Sequence, residues 1–190
     1  MNEGSDTSPE DDCSRSAPSS FTALADHAAG ALAQNDAMII DLIWDDCVAD
    51  WRDQLGLSNQ RICDAAKAAA AFRGFDQGQL GVLITDDASI HEINRDHLHH
   101  DYPTDVISFP YAATGDHLEG ELVVSIETAA ENAKEYDSTT DVELLLYVIH
   151  GVLHIGGMDD HEDHDRQEMR DAERAVLARL GIEIGEAPQA

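Results

Sequence analysis

Residues 144–155 read LLLYVIHGVLHI, an apolar run broken only by His150, Gly151 and His154. The segment reads as the body of a helix over 141–155, apolar apart from its histidines. At about 100° per residue, two histidines four apart leave the helix on one face, one turn from each other. That is the spacing of a helical metal-binding pair. Gly156-Gly157 then ends the helix and lets the chain double back, with Asp160 and His161 following at once. A third ligand can therefore return to the first two, from either Asp160 or His161. The competing reading is a pair of core histidines followed by a solvated acidic turn, but it gives the glycine turn and the third donor no purpose. Three protein ligands with an open position are the pattern of a catalytic centre rather than a closed structural one. One zinc ion is the expected occupant, although other first-row divalent metals accept the same donors.

Zinc helices of the HExxH type carry a glutamate after the first histidine as the general base of peptide hydrolysis. Here that position is Gly151, so a peptidase is disfavoured.

Around this helix the pattern predicts an α+β fold: a small mixed four-stranded sheet packed with about five helices. The expected strands are 38–44, 80–85, 106–109 (an edge strand stopped by Pro110) and 118–126, with Gly120 as a bulge. Helices are expected from Ser58 as N-cap to Arg73-Gly74, from Asp86 or Asp87 through Asn94, and over 126–136, 141–155 and 162–180. Phe109 reads as a core residue of a half-buried strand, with base stacking as the alternative. His164 reads as a helix-surface residue.

Residues 1–36 are expected to be an acidic, disordered tail, with a marginal helix over 21–34, and residues 37–185 a single domain whose last residues fray. The N-terminal MNEGSDTSPEDDC has neither the basic nor the apolar region of a secretion signal. Cys13, Cys47 and Cys63 form no CxxC pair, so a disulfide scaffold is not expected and a cytoplasmic location is. No run approaches the roughly 18 apolar residues of a membrane span, so no membrane partner is expected.

Thirty-nine acidic residues against eleven basic ones leave a formal charge of −28. Such a surface repels phosphates, so any nucleic-acid partner needs a local positive cleft built from the metal and a few of the nine arginines. Lysine is nearly absent, at Lys67 and Lys134 only, and an acid-rich, lysine-poor surface fits solubility at high salt.

The block from His150 to Asp160 resembles the HGxLHxxGxDH motif of the YbeY family of metal-dependent endoribonucleases. The segment DYPTDVISFP, residues 101–110, is similar to that family's DxPTDVLSFP, with Asn94 before it at the family spacing. GELVVS, residues 120–125, is similar to the following GDIxIS strand. The resemblance covers about residues 80–180. It implies a small α+β fold with a three-ligand metal site at the end of a cleft, and cleavage of single-stranded RNA. It further implies a role in rRNA processing, including 16S rRNA 3′-end maturation, and in ribosome quality control, with rRNA and the ribosome or its small subunit as partners.

Two departures from the family pattern stand out. The family's third ligand falls on Asp160, with His161 one residue later, and an uninterrupted register through Glu168-Met169 favours Asp160. Where many members carry an arginine facing the RNA, this chain has Leu98. His97, His99, His100 and Arg95 lie beside it and can replace part of its charge, the histidines chiefly below about pH 6.5. The RNA-binding candidates are Arg95, His97, Thr104 and Ser108; the alternatives are a solvated polar turn for the histidine cluster and, for the two hydroxyls, residues that simply finish the loop. The catalytic base is either Asp105 or water activated at the metal, and Asp105 can instead orient a ligating imidazole or cap the next strand. A metal-binding ribosome assembly factor with weak or lost catalysis is the alternative function.

Overall fold

The structure, a computed structural model, describes residues 37–99 and 101–183. The expected N-terminal tail with its short helix, His100 and the frayed C-terminus lie outside these residues.

Four strands form one mixed sheet: β1 (Met38–Trp44), β2 (Gln77–Thr85), β3 (Val106–Thr114) and β4 (His117–Ser125), in the order β1-β2-β4-β3. β1 and β4 run parallel to β2, with Leu42 beside Val82 and Val82 beside Leu122, while β3 pairs antiparallel to β4. A two-residue turn at Gly115-Asp116 joins β3 to β4, and Gly115 supplies its left-handed backbone at φ 62°. Among the described residues six α-helices accompany the sheet: α1 (Ala49–Leu55), α2 (Asn59–Phe72), α3 (Asp87–Ile93), α4 (Ile126–Glu135), α5 (Thr140–Ile155) and α6 (Asp163–Arg179). The expected capping holds. The Ser58 hydroxyl accepts from the amide of Arg61 at 3.3 Å, and Asp86, rather than Asp87, caps α3 by accepting from Ser89 at 2.8 Å.

Helix α5 is the centre of the core formed by the described residues. Leu144, Leu145, Val148, Ile149, Val152 and Leu153 are fully buried, against α2, α6 and the sheet face that carries Leu80, Val82, Ile84 and Leu122. Alternation sends Leu83, Ile107 and Val123 to the other face, beside α3 with its buried Ile90 and Ile93. Gly120 lies beneath the end of α5: a Cβ there would sit 2.8 Å from the Ile155 side chain and from the Phe109 carbonyl oxygen.

Four expectations need correction. β3 does not stop at Pro110 but runs on to Thr114, because an edge strand tolerates a residue with no N–H to donate. The ladder irregularity is across from Gly120, not at it: Pro110 pairs with Gly120 and Ala112 with Glu119, leaving Tyr111 as the extra residue. Phe109 is half-buried and outside the main core, since it shares the Ile107 side of β3, away from α5. Finally, a short 3₁₀ turn, Asp46–Val48, and α1 fill the stretch after β1, for which the sequence pattern predicts no helix.

Candidate metal centre

His150 and His154 project from α5 with their side chains about a fifth to a quarter exposed. Helix α5 ends at Gly156, and the amide of Gly157, at φ 84°, donates to the His154 carbonyl at 2.9 Å. The Met158 amide donates to Leu153 at 3.0 Å, which completes a Schellman cap. This cap does more than end the helix. It aims the Met158 carbonyl oxygen at His154 Nδ1, 3.0 Å away.

Two residues later the chain returns. Asp160 Oδ2 stands 3.8 Å from His150 Nε2, and Oδ1 stands 3.8 Å from His154 Nε2. The Asp159 carboxylate accepts from the amides of Asp160 at 2.7 Å and His161 at 3.3 Å, which bends this turn inwards. The His161 ring turns to Asp159 instead. It is 83 % exposed and hydrogen-bonded through Nδ1 to Asp159. The structure therefore brings Asp160, and not the His161 ring, up to both imidazoles, and His164 lies on the exposed face of α6.

The two Nε2 atoms lie 2.9 Å apart. His154 Nδ1 faces a carbonyl oxygen and His150 Nδ1 faces Glu173 Oε1 at 2.6 Å. Neither partner can donate when Glu173 is ionised, so each imidazole carries its proton on Nδ1. Both Nε2 lone pairs then converge on one point, and only a positive charge between them, a proton or a metal ion, reconciles them. Two ligands on one tetrahedral zinc stand about 3.3 Å apart. The separations of 2.9 and 3.8 Å bracket that value, so the donor set of two imidazoles and a carboxylate fits such an ion. Electrostatics agree. Burial works against a charged His150, but Glu173, Asp105 and Asp160 outweigh it and raise its proton affinity, whereas burial and the neighbouring His150 lower that of His154.

Other predicted residues are placed as follows. Asp105 acts electrostatically on His150, and its Oδ1 accepts from the Thr104 hydroxyl at 3.0 Å and the Val106 amide at 2.8 Å. Ser108 donates to the carbonyl oxygen of Gly151 at 3.2 Å. Both hydroxyl protons are thus engaged inside the protein. Arg95 is exposed, with Nε 3.2 Å from Asp96, and the exposed His97 ring sets its edge against Phe109 at 5.9 Å between centroids. Both lie on a π-helical turn, Asn94–Leu98. Since Phe109 and Ser108 point to opposite sides of β3, His97 and α5 meet different faces of that strand. Asn94 is buried and donates to the Tyr102 carbonyl at 2.8 Å, which fastens the loop leading to Asp105.

Sequence reasoning missed Glu173, Arg166 and Tyr147. Glu173 flanks the buried stripe Met169, Ala172 and Val176 of α6, and a carboxylate beside an apolar stripe was the available signal. Arg166 donates to the carbonyl oxygens of Asp160 at 3.2 Å and His161 at 2.6 Å. Tyr147, one turn before His150, accepts from Asn132 at 2.6 Å, and burial together with the charges of Asp105 and Glu143 keeps its phenol protonated.

The family model described as Endoribonuclease YbeY matches residues 52–181. An Endoribonuclease YbeY of Rhodopirellula baltica is 52 % identical over 136 residues, covering 70 % of each chain. One from Desulfitobacterium hafniense is 31 % identical over 155 residues, covering 76 % of this chain and 99 % of its own. The solution structure of a Thermotoga maritima protein matches with a TM-score of 0.50 at 21 % identity, over 80 % of this chain and 99 % of that one, a likeness of fold. No helix among the described residues is long and apolar enough to cross a membrane.

Proposed function

The chain belongs to the Endoribonuclease YbeY family, and on that premise we propose that it is a metal-dependent endoribonuclease that cleaves single-stranded RNA in rRNA processing. The observation that carries this reading is the convergence of His150 Nε2, His154 Nε2 and the Asp160 carboxylate on one partly exposed point. In this reading 16S rRNA 3′-end maturation and ribosome quality control are its tasks in the cytoplasm. Residues 37–185 form the working domain, with the ribosome or its small subunit as partner.

His150, His154 and Asp160 would hold one zinc ion and leave part of its coordination open to solvent. When bound, the ion supplies Lewis-acid chemistry, drawing charge from a phosphodiester oxygen. The chain's own residues prepare the site. Met158 and Glu173 keep the two imidazoles facing inwards. Asp105, held at one oxygen by Thr104 and Val106, is an oriented carboxylate near His150 and the candidate proton acceptor. Tyr147 stays a phenol and keeps a proton to donate. Arg95 and His97 are exposed on the turn that leads towards Asp105 and are the candidates for the RNA backbone, a term that matters because the rest of the surface repels it.

Purified protein incubated with single-stranded RNA, with and without a chelator and beside His154→Ala, tests this. Cleavage that requires both the metal and His154 is expected. Folded, metal-loaded protein that leaves several RNAs intact would overturn it.

A further inference from the structure

The ligands of the metal centre all precede α6, yet two of the three are held by it. Glu173 lies 23 residues beyond His150 and reaches its Nδ1 at 2.6 Å, with a side chain only 13 % exposed. Arg166 lies seven residues before Glu173, which on a helix is two turns and about 20° away, so the two side chains leave α6 on the same side. Its guanidinium donates to the carbonyl oxygens of Asp160 and His161 and pairs with Asp163. The buried residues Met169, Ala172 and Val176 fix this side of the helix against the core.

We propose that α6 is the positioning element of the metal centre: Glu173 locks His150 in the Nδ1–H tautomer with Nε2 aimed at the ion, and Arg166 holds the loop that returns Asp160. This rests on the metal-site reading above. A carboxylate on the outer nitrogen of a ligating imidazole fixes the ring and raises its basicity, and loss of such a partner weakens metal binding 10- to 100-fold as a rule, roughly speaking. Glu173 acts through His150 and Arg166 through the loop that carries Asp160; they are positioning residues.

Zinc affinity, measured by competition with a chromophoric chelator, separates the two ideas. Wild-type protein should bind one zinc and His154→Ala should not; equal binding by both would overturn the site itself. With that difference in hand, Glu173→Leu is expected to bind roughly 10- to 100-fold more weakly. Glu173→Gln, which keeps an acceptor oxygen but not the charge, should fall between it and wild type. Arg166→Gln should weaken binding as well. A Glu173→Leu affinity within about twofold of wild type would overturn the positioning role, on the scale expected of such partners. Should Glu173→Leu fail to fold, Glu173→Gln decides the matter by the same comparison. A second readout needs no metal. In mildly alkaline buffer the imidazole nitrogen spectrum of wild-type protein should show His150 as the Nδ1–H tautomer, and Glu173→Leu should lose that preference. An unchanged tautomer in a folded variant would also count against the proposal.

Discussion

The Ser108 hydroxyl donates to the carbonyl oxygen of Gly151 at 3.2 Å, tying the edge strand to helix α5 at the residue that follows His150. A Cβ on Gly151 would stand 2.6 Å from Leu122 Cδ2, 3.0 Å from Val106 Cγ2 and 3.1 Å from Ser108 Oγ. The position where an HExxH peptidase keeps its base is therefore pressed against the sheet. Gly151→Glu should destabilise the protein by about 3 kcal/mol or more, from overpacking and a buried carboxylate. That corresponds to a fall of roughly 6–12 °C in Tm for a chain of this size. Thermal unfolding together with a casein digest checks it: a stable variant, or one that gains peptidase activity, would contradict this account.

Asp160 and His161 are adjacent in sequence, but it is the Asp160 carboxylate that stands 3.8 Å from both imidazoles. Asp160→Ala should lower zinc affinity by more than about 100-fold, beyond what outer partners usually contribute, and His161→Ala should leave it within about twofold. Metal content after dialysis, measured on both variants, distinguishes them. The reverse pattern would put the ligand at His161.

The exposed pair of Asp159 and His161 titrates as a unit. The hydrogen bond to Asp159 raises the His161 pKa above its ordinary value, and the same bond lowers that of Asp159. The histidine's part of this stabilisation is complete below its unfolded pKa and is lost as pH rises through the folded one. The aspartate's part is present above its unfolded pKa and is lost as pH falls through the folded one. The pair thus contributes most between about pH 4 and 6.5. An NMR titration should place the His161 midpoint above 6.5 or so, and Asp159→Asn should return it to the ordinary imidazole range. Because the pair is fully exposed, molar salt should shrink the difference.

A formal charge of −28 makes self-repulsion part of the stability balance. Raising ionic strength from about 0.1 M to 1 M shortens the screening length from roughly 10 to 3 Å. Tm should then rise by about 5 °C, equivalent to roughly 1–2 kcal/mol. Equal Tm values at the two salt concentrations would remove the case for a salt-adapted surface.

Much of this molecule is local and therefore readable in the chain. The period of α5, its two histidines one turn apart, the glycines that turn the chain back, and the caps at Ser58 and Asp86 all depend on residues within a few positions of each other. The strand cores are similarly legible from their apolar, β-branched runs. Periodicity is silent about what meets across the fold. Pro110 is a stop signal in isolation, yet β3 continues through it because the sheet order makes that strand an edge. Gly120 carries the mark of a bulge, but its real constraint is Ile155 arriving from another element.

The site divides in the same way. The sequence alone determined that two imidazoles share a face and that Asp160 and His161 compete to join them. Tertiary structure placed the Asp160 carboxylate, and not the His161 ring, beside both imidazoles, because that placement depends on which way a short loop is pulled by Asp159 and Arg166. It also supplied Glu173, whose contact with His150 spans 23 residues. Such a contact arises from docking one helix on another, and no spacing rule along a single helix encodes it.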